Sequence, residues 1–371
     1  MKYASFLLII LSSSFVFAQE RTFRTSPVLT LGAETNLTAA IHLGDVDGDG
    51  FLDAIVANGR HWAQQNFVFM NNGSGRFLLA RDLGAERATT YAAPLADLDG
   101  DGDLDTATGN DRVRNMVFLN DGTGRFSSNG TFGADSDPTR NITLADLNND
   151  SHVDVIVVNR GAANAIYFND GKAGFAKRAL FGEAEEATIT VAVGDIDGDG
   201  SLDLALANRN GQQNYALLND GKGNFSKKFP FGSGADETRS VALADMNGDG
   251  FLDVVSANIG ENNAIVFGDG KGNFTSAASF GESDGRSYSV ALDDFDLDGD
   301  VDIVIGNNGQ KNAVFFNDGT GLAFETLLFG NENHKTYDVA VGDLNNDRFP
   351  DIVTANSGAV NVIYYNRPER N

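Results

Sequence analysis

The sequence predicts an all-β protein, a seven-bladed β-propeller with four-stranded blades, and three observations carry that reading. An acidic stretch of nine residues, DVDGDGFLD from Asp45, returns in variant form at Asp97, Asp146, Asp195, Asp245, Asp294 and Asp343. The intervals are 52, 49, 49, 50, 49 and 49 residues, and so steady a period means one architecture made from one repeated unit. Inside each unit, short apolar and β-branched runs alternate with turns rich in Gly, Asn and Asp, and no stretch shows a helical period. Four antiparallel strands repeated seven times about an axis make a propeller; a solenoid with helical layers does not fit this composition.

The first element is a leader. Residues Met1 to Ala18 have the pattern of a secretory signal peptide, with Lys2 at the start, the apolar core FLLIIL from Phe6 to Leu11, and small residues Val16 and Ala18 before a cut ahead of Gln19. That apolar run falls well short of the ~20 residues a membrane-spanning helix needs, and no later segment is longer, so no span is expected. The protein is accordingly expected to be secreted, periplasmic or held at the cell surface, with residues 19–371 forming a single propeller, a monomer by expectation.

The closing device comes next. Phe-Gly or Leu-Gly pairs end the outer strands at Leu83, Phe132, Phe181, Phe231, Phe280 and Phe329, and a seventh pair, at Leu31, precedes the first acidic stretch. The last unit stops at Tyr365 and Asn366 with no outer strand after it. The segment from Phe23 to Leu31 is therefore expected to supply the fourth strand of the last blade, which closes the ring and hides its edges. Between these ends the unit is plainest in residues 240–281, where the runs SVALA, DVVSA, NAIVF and NFTSAASF are the four strands. The first turn is the acidic loop, and the third is a Gly-rich hairpin such as NDGTGRF at Asn120 or NDGKGNF at Asn219, where Gly and Asn supply positive φ.

The acidic loops have the donor pattern of a hard cation, with oxygens at positions 1, 3, 5 and 9 of a short, tightly turned segment. The ligands expected are Asp45, Asp47, Asp49 and Asp53; Asp97, Asp99, Asp101 and Asp105; Asp146, Asn148, Asp150 and Asp154; Asp195, Asp197, Asp199 and Asp203; Asp245, Asn247, Asp249 and Asp253; Asp294, Asp296, Asp298 and Asp302; and Asp343, Asn345, Asp347 and Asp351. An EF-hand would need a bidentate Glu at position 12, where these loops carry Val56, Thr108, Val157, Leu206, Ser256, Ile305 and Thr354, so that motif is excluded. Without a cation, three or four carboxylates would crowd together and repel one another. Up to seven Ca2+ are expected; Mg2+, with its octahedral demand and retained waters, suits so many carboxylates less well. Position 6 is Gly in five loops, but Ser151 in the third and Arg348 in the seventh, so those two sites are expected to be the weakest.

Composition agrees with that assignment. There is no cysteine, so an exported chain of this kind needs a staple other than disulfides. The seven loops hold 27 of the 52 acidic residues, and seven dications would bring the formal charge from −25 to −11. The remaining field still repels phosphate, which argues against a nucleic-acid partner.

The Phe-Gly strand ends, the DxDxDGxxD loops and the period near 50 resemble FG-GAP/VCBS repeats, found in bacterial exported proteins and in the seven-bladed head of integrin α subunits. The resemblance covers residues 23 to 366 and implies the propeller and its calcium. It leaves the activity open, because relatives of this kind serve adhesion, carbohydrate binding and, in some, polysaccharide cleavage. It also implies that acidic loops and outer hairpins share one face, leaving the second turn of each unit and the inter-blade connections on the other.

That second turn is bracketed by two Asn in every unit, from Asn58 and Asn66 to Asn356 and Asn361, and a Thr or Ser stands seven residues before each loop, as Thr38 does before Asp45. Such regularity argues for structural work; function is expected where the units differ. Blade one carries Arg60, His61 and Trp62 in a longer turn, blade two Arg112 and Arg114, and other turns Arg160, Arg209 and Lys311. The position after the Thr or Ser varies as Ala39, Tyr91, Arg140, Ile189, Arg239, Tyr288 and Tyr337, and these side chains are expected to ring the mouth of the central channel. Arg60, Trp62, Arg112 and Arg114 are the candidate ligand contacts, since Arg forks onto carboxylate or sulfate and rings stack on pyranose.

Two functions follow. The first is a non-catalytic binding or adhesion module for a glycan or extracellular protein, supported by seven units without a large insertion. The alternative is a polysaccharide lyase acting on a uronic-acid polymer, with His61, Tyr91, Tyr288, His334 or Tyr337 as base and Arg140 or Arg239 neutralising the carboxylate.

Overall fold

The computed structural model describes residues 21–368; the expected leader lies outside them. Seven antiparallel sheets stand around one axis, and no helix occurs among the described residues. Blade three is the plain case, with strands Thr139–Ala145, Asp154–Asn159, Asn164–Phe168 and Lys177–Phe181 in order from axis to rim. The second strand of that blade, DVIVVN, is buried along its whole length, and so is its counterpart Asp53–Asn58 in blade one. Unbroken apolar runs suit these positions because both sheet faces pack on neighbouring blades. The outer strands meet water and are exposed along most of their length, as in Lys177–Phe181, where only the final Phe is buried.

Seven apolar clusters fill the molecule, and each is shared by two adjacent blades. Val117 and Phe132 of blade two meet Ile142, Val155 and Tyr167 of blade three, for example. No blade has a core of its own, so each stands only because its neighbours do. The Phe of the Phe-Gly pair is the commonest bridge: Phe132 meets Tyr167 edge-on at 5.1 Å, Phe280 meets Phe315 at 5.0 Å and Phe329 meets Tyr364 at 5.0 Å.

The ring closes as expected. Arg21–Arg24 pairs antiparallel with Asn361–Pro368, setting Arg21 opposite Pro368 and Arg24 opposite Tyr365, and Thr30–Leu31 resumes the pairing opposite Val362 and Asn361. Phe23 seals the joint, its ring 5.6 Å from both Phe295 and Phe329 of blade six.

Two sets of Asn side chains tie blade to blade. On the second-turn side, Thr38 donates its hydroxyl to Asn58 at 2.8 Å, and the other bracket, Asn66, donates to Thr90 of the next blade at 2.9 Å. Asn361 completes the circle by donating to Thr38 at 3.1 Å. The repeated Asn and Thr thus do structural work. On the loop side, the Asn closing each third strand donates to the backbone carbonyl at position 2 of the preceding blade's acidic loop: Asn71 to Leu344, Asn120 to Val46, Asn169 to Leu98, Asn219 to Leu147, Asn317 to Met246 and Asn366 to Phe295, all at 2.7–2.9 Å. Blade five has Gly268 at this position and makes no such bond to blade four. A Cβ there would collide with the Leu252 carbonyl, so the strand end sits too close to its own loop for Asn.

Two local departures follow from sequence. The outer strand of blade one does not stop at Leu83-Gly84 but continues to Ala88, because the longer second turn brings Gln64 and Gln65 opposite Ala88 and Arg87. The innermost strand of blade two splits into Thr90–Ala92 and Leu95–Ala96 around Pro94, which has no N–H for the ladder.

Candidate functional site

The acidic loops all join the first and second strands, so they gather on one face. In the first loop, Asp45 accepts N–H bonds from Gly48 at 2.8 Å, Asp49 at 3.1 Å and Gly50 at 2.9 Å, while Asp49 accepts from Phe51 at 3.0 Å. The chain wraps around its own first carboxylate, with Gly48 and Gly50 at φ 72° and 88°. Asp53, fully buried, accepts from Val46 at 3.2 Å and from Asn71 at 2.7 Å, so the ninth carboxylate also sews the loop to the third strand.

Several features of these loops fit a hard dication. Carboxylate oxygens of Asp45, Asp47 and Asp53 lie within 4.8 Å of one another, as do those of Asp97, Asp99 and Asp101, of Asp195, Asp197 and Asp199, and of Asp294, Asp296 and Asp302. One oxygen of each position-3 carboxylate in loops one, four and six is buried without a hydrogen-bond partner. Burial pushes Asp53, Asp105, Asp154, Asp203 and Asp253 up to about 6, and Asp302 and Asp351 up to about 7. Crowded, buried, partly unpartnered carboxylates are what a bound cation would relieve.

The third and seventh loops depart from this arrangement. Ser151 and Arg348 occupy the sixth position at φ 71° and 79°, a conformation that costs a non-Gly residue energy. In the seventh loop Asn345 turns its amide N–H2 onto Asp351 at 2.7 Å, and Arg367 places its guanidinium against Asp347. That loop already carries a cation of its own.

The other face holds the second turns, and there the variable positions converge. Arg60, His61, Tyr91, Arg140, Ile189, Arg239, Tyr288 and Tyr337 line one cavity of about 170 Å³ at the mouth of the central channel, together with Asp111, Arg160 and Arg209. Six of the seven positions expected to ring the channel mouth line this cavity, while Ala39 lines the adjoining channel with His42 instead. Arg60 lies 3.7 Å from the centre of the Tyr337 ring, Arg140 4.5 Å from Tyr91 and Arg239 5.6 Å from Tyr288, and the Tyr288 and Tyr337 rings meet edge-on at 4.8 Å. Arg140 is paired with Asp111 at 2.8 Å and Arg209 with Glu237 at 3.5 Å. Arg60, Arg160 and Arg239 have no carboxylate partner among the described residues, and the Arg60 Nε is buried without an acceptor.

Burial, with Arg209 adding repulsion, brings Arg239 down to about 10, and it lowers Arg160 as well. Burial also raises Tyr91 and Tyr337, so both rings carry their protons at neutral pH, as walls and donors rather than bases. His61 is held below its ordinary value by burial and by Arg60, which leaves it a neutral imidazole. Deeper in the channel, Asp338 accepts from Ser289 at 2.8 Å and from Ile41 N–H at 3.1 Å.

Other named residues lie elsewhere. Arg112 and Arg114 do not reach the mouth: Arg114 is exposed and paired with Asp135 at 3.1 Å, and Arg112 stands at φ 58° on the turn. Trp62, 74% exposed, follows His61 on the rim. His334 lies in a separate groove beside Phe23, Phe329 and Pro27, away from Tyr337. Sequence reasoning passed over Asp111, which occupies in blade two the place Arg160 and Arg209 hold in blades three and four, directly after the first bracket Asn. That shared register was the available signal.

The family described as FG-GAP-like repeat matches six overlapping segments, 45–108, 97–157, 146–206, 195–256, 245–305 and 294–354, each beginning at an acidic loop. No curated protein sequence matches the chain. Among solved structures, BBS1N in complex with ARL6DN, soaked with mercury, is similar with a TM-score of 0.60 at 11% identity, covering 94% of this chain and 97% of that one. The WD40 domain of Toxoplasma gondii coronin is similar with a TM-score of 0.62 at 11% identity, covering 95% and 88%. At such identities the likeness is one of fold.

Proposed function

The chain belongs to the FG-GAP-like repeat family, and on that premise we propose that it is an exported binding module, stiffened by calcium on one face and recognising a glycan or extracellular protein on the other. The observation that carries this reading is the convergence of the positions that break the repeat, Tyr91, Arg140, Arg239, Tyr288 and Tyr337 with Arg60, on one axial mouth. Positions 1, 3, 5 and 9 of the loops would hold Ca2+, which supplies the positive charge those buried carboxylates lack. With no cysteine in the chain, the ions take the part of staples. BBS1N, a structure of similar shape, occurs in its crystal with ARL6DN, so a protein ligand is an ordinary occupant for such a ring.

Two experiments test the two halves. Calcium removal by EDTA is expected to lower the melting temperature and readdition to restore it; an unchanged transition would remove calcium from the account. A glycan and secreted-protein array probed in calcium is expected to give ligands whose binding is lost on substituting mouth residues. The neutral His61 beside Arg60 and Arg140 favours one second reading, lyase chemistry on a uronate, with His61 taking the proton. Growth of unsaturated uronate product during binding would select it, and binding without product would rule it out.

A further inference from the structure

Five guanidinium groups, those of Arg60, Arg140, Arg160, Arg209 and Arg239, face one small cavity, and the carboxylates paired there are only Asp111 and Glu237. Even with Asp338, which lines the channel together with Arg239, counted against them, the guanidinium groups outnumber the carboxylates five to three in a chain whose formal charge is −25. Arginines so crowded repel one another, and stacking on Tyr337 and Tyr288 holds Arg60 and Arg239 in the mouth without a carboxylate partner for either among the described residues. A fold does not need such an arrangement, because blades on this face are already tied by Asn and Thr, as Asn66 to Thr90 and Asn214 to Thr238. An anion at the axis would satisfy several of these guanidinium groups at once.

We propose, resting on the binding-module reading, that the axial mouth is an oxyanion site for the carboxylate or sulfate ester of an acidic polysaccharide, gripped by Arg60, Arg160 and Arg239. Two features favour a sugar over an acidic protein surface. The second turns expose only two large apolar side chains, Trp62 and Val113, too few for the apolar centre that protein interfaces build on. The cavity of about 170 Å³ also admits a single compact group rather than a loop. Trp62, exposed on the rim beside His61, offers a flat face for the next pyranose along the chain.

The test is calorimetry on the full chain in calcium, with polygalacturonate, a sulfated galactan, their carboxyl-reduced and desulfated counterparts, polyglutamate and inorganic sulfate as probes. One or both acidic polymers are expected to bind, their neutral counterparts at least tenfold more weakly, and the two acidic arms distinguish carboxylate from sulfate. Arg60→Gln and Arg239→Gln are each expected to weaken binding about tenfold, and more together, because each removes charge-assisted bonds. Arg239→Lys, which keeps the charge and loses the fork, is expected to fall between, and Arg114→Gln, beside Asp135, to leave binding unchanged. Melting curves in calcium accompany each variant; should Arg239→Gln unfold, Arg60→Gln, on a turn rather than a strand, and the salt dependence of affinity decide. Equal binding of neutral polymers, equal binding of polyglutamate, binding of inorganic sulfate only, or parental affinity in Arg60→Gln overturns the proposal. A neutral glycan or protein ligand lost on mouth substitution overturns the oxyanion site and leaves the binding module standing. A ligand lost only on altering the acidic-loop face overturns both.

Discussion

His42 sits on the innermost strand of blade one, lines the central channel, and has an Nε2 with no partner. Burial brings its folded-state value down to about 4 from an ordinary 6.5, so the unfolded chain takes the proton first as the pH falls. The stability this group contributes is complete above pH 6.5 and is lost between 6.5 and 4, at about 1.4 kcal/mol for each pH unit before water in the channel reduces it. Urea titrations at pH 7 and pH 5 are expected to show that loss in the parent and a smaller one in His42→Gln; equal losses would show that His42 is not responsible. Arg348 is the second informative residue, since its φ of 79° asks for Gly. Arg348→Gly is expected to raise stability by about 1 kcal/mol in calcium by relieving left-handed strain, with a matching rise in melting temperature. At this scale the sequence was only partly readable. The doubt about Ser151 and Arg348 came straight from a missing Gly, and positive φ at both agrees with it. The arginines were harder, because Arg60 and Arg112 both stand two residues after the first bracket Asn, yet Arg60 reaches the axis and Arg112, at φ 58° in a shorter turn, does not. Arg367 was not suspected at all: its contact with Asp347 joins the end of the chain to a loop 20 residues earlier, which no local pattern records.

Among the elements, the N-terminal strand was the most readable, because a missing outer strand at one end and a surplus Leu-Gly at the other imply each other. Its pairing with Asn361–Pro368 and the wedge of Phe23 between Phe295 and Phe329 bear that reading out. Phe23→Ala is expected to destabilise the protein by about 3 kcal/mol, through lost burial and a cavity at the joint, measured by denaturant titration. A change below a few tenths of that size would mean that the strand is held by its ladder alone. The acidic loops were readable as loops, each joining the first and second strands of its blade. The structural part of their ninth residue was not, since it accepts from the end of a third strand about 15 residues on, as Asp105 does from Asn120 N–H at 2.8 Å. The outer strand of blade one overran its Leu-Gly mark because the length of the turn opposite, not the pair itself, set where pairing ended.

For the whole molecule, the period near 50 was enough to specify seven blades, since each inter-blade core repeats the same apolar positions. What the period hid was the joint that differs. Six joints carry the Asn bond to the preceding loop, and blade five, with Gly268, leaves the one to blade four without it. A bond of this kind stabilises by about 1 kcal/mol, so the interface between blades four and five is expected to open first. Hydrogen exchange should find amides around Ile196 and Gly268 less protected than those around Met246 and Asn317; uniform protection would contradict it. The same feature marks where the chain can be recut. Arg21 and Pro368 lie side by side in one ladder, so a short linker can join these two residues directly. The place to make new ones is the connection from Phe231 to Thr238, at the unlatched joint, and a gene rearranged in that order would encode the same wheel begun at a different spoke.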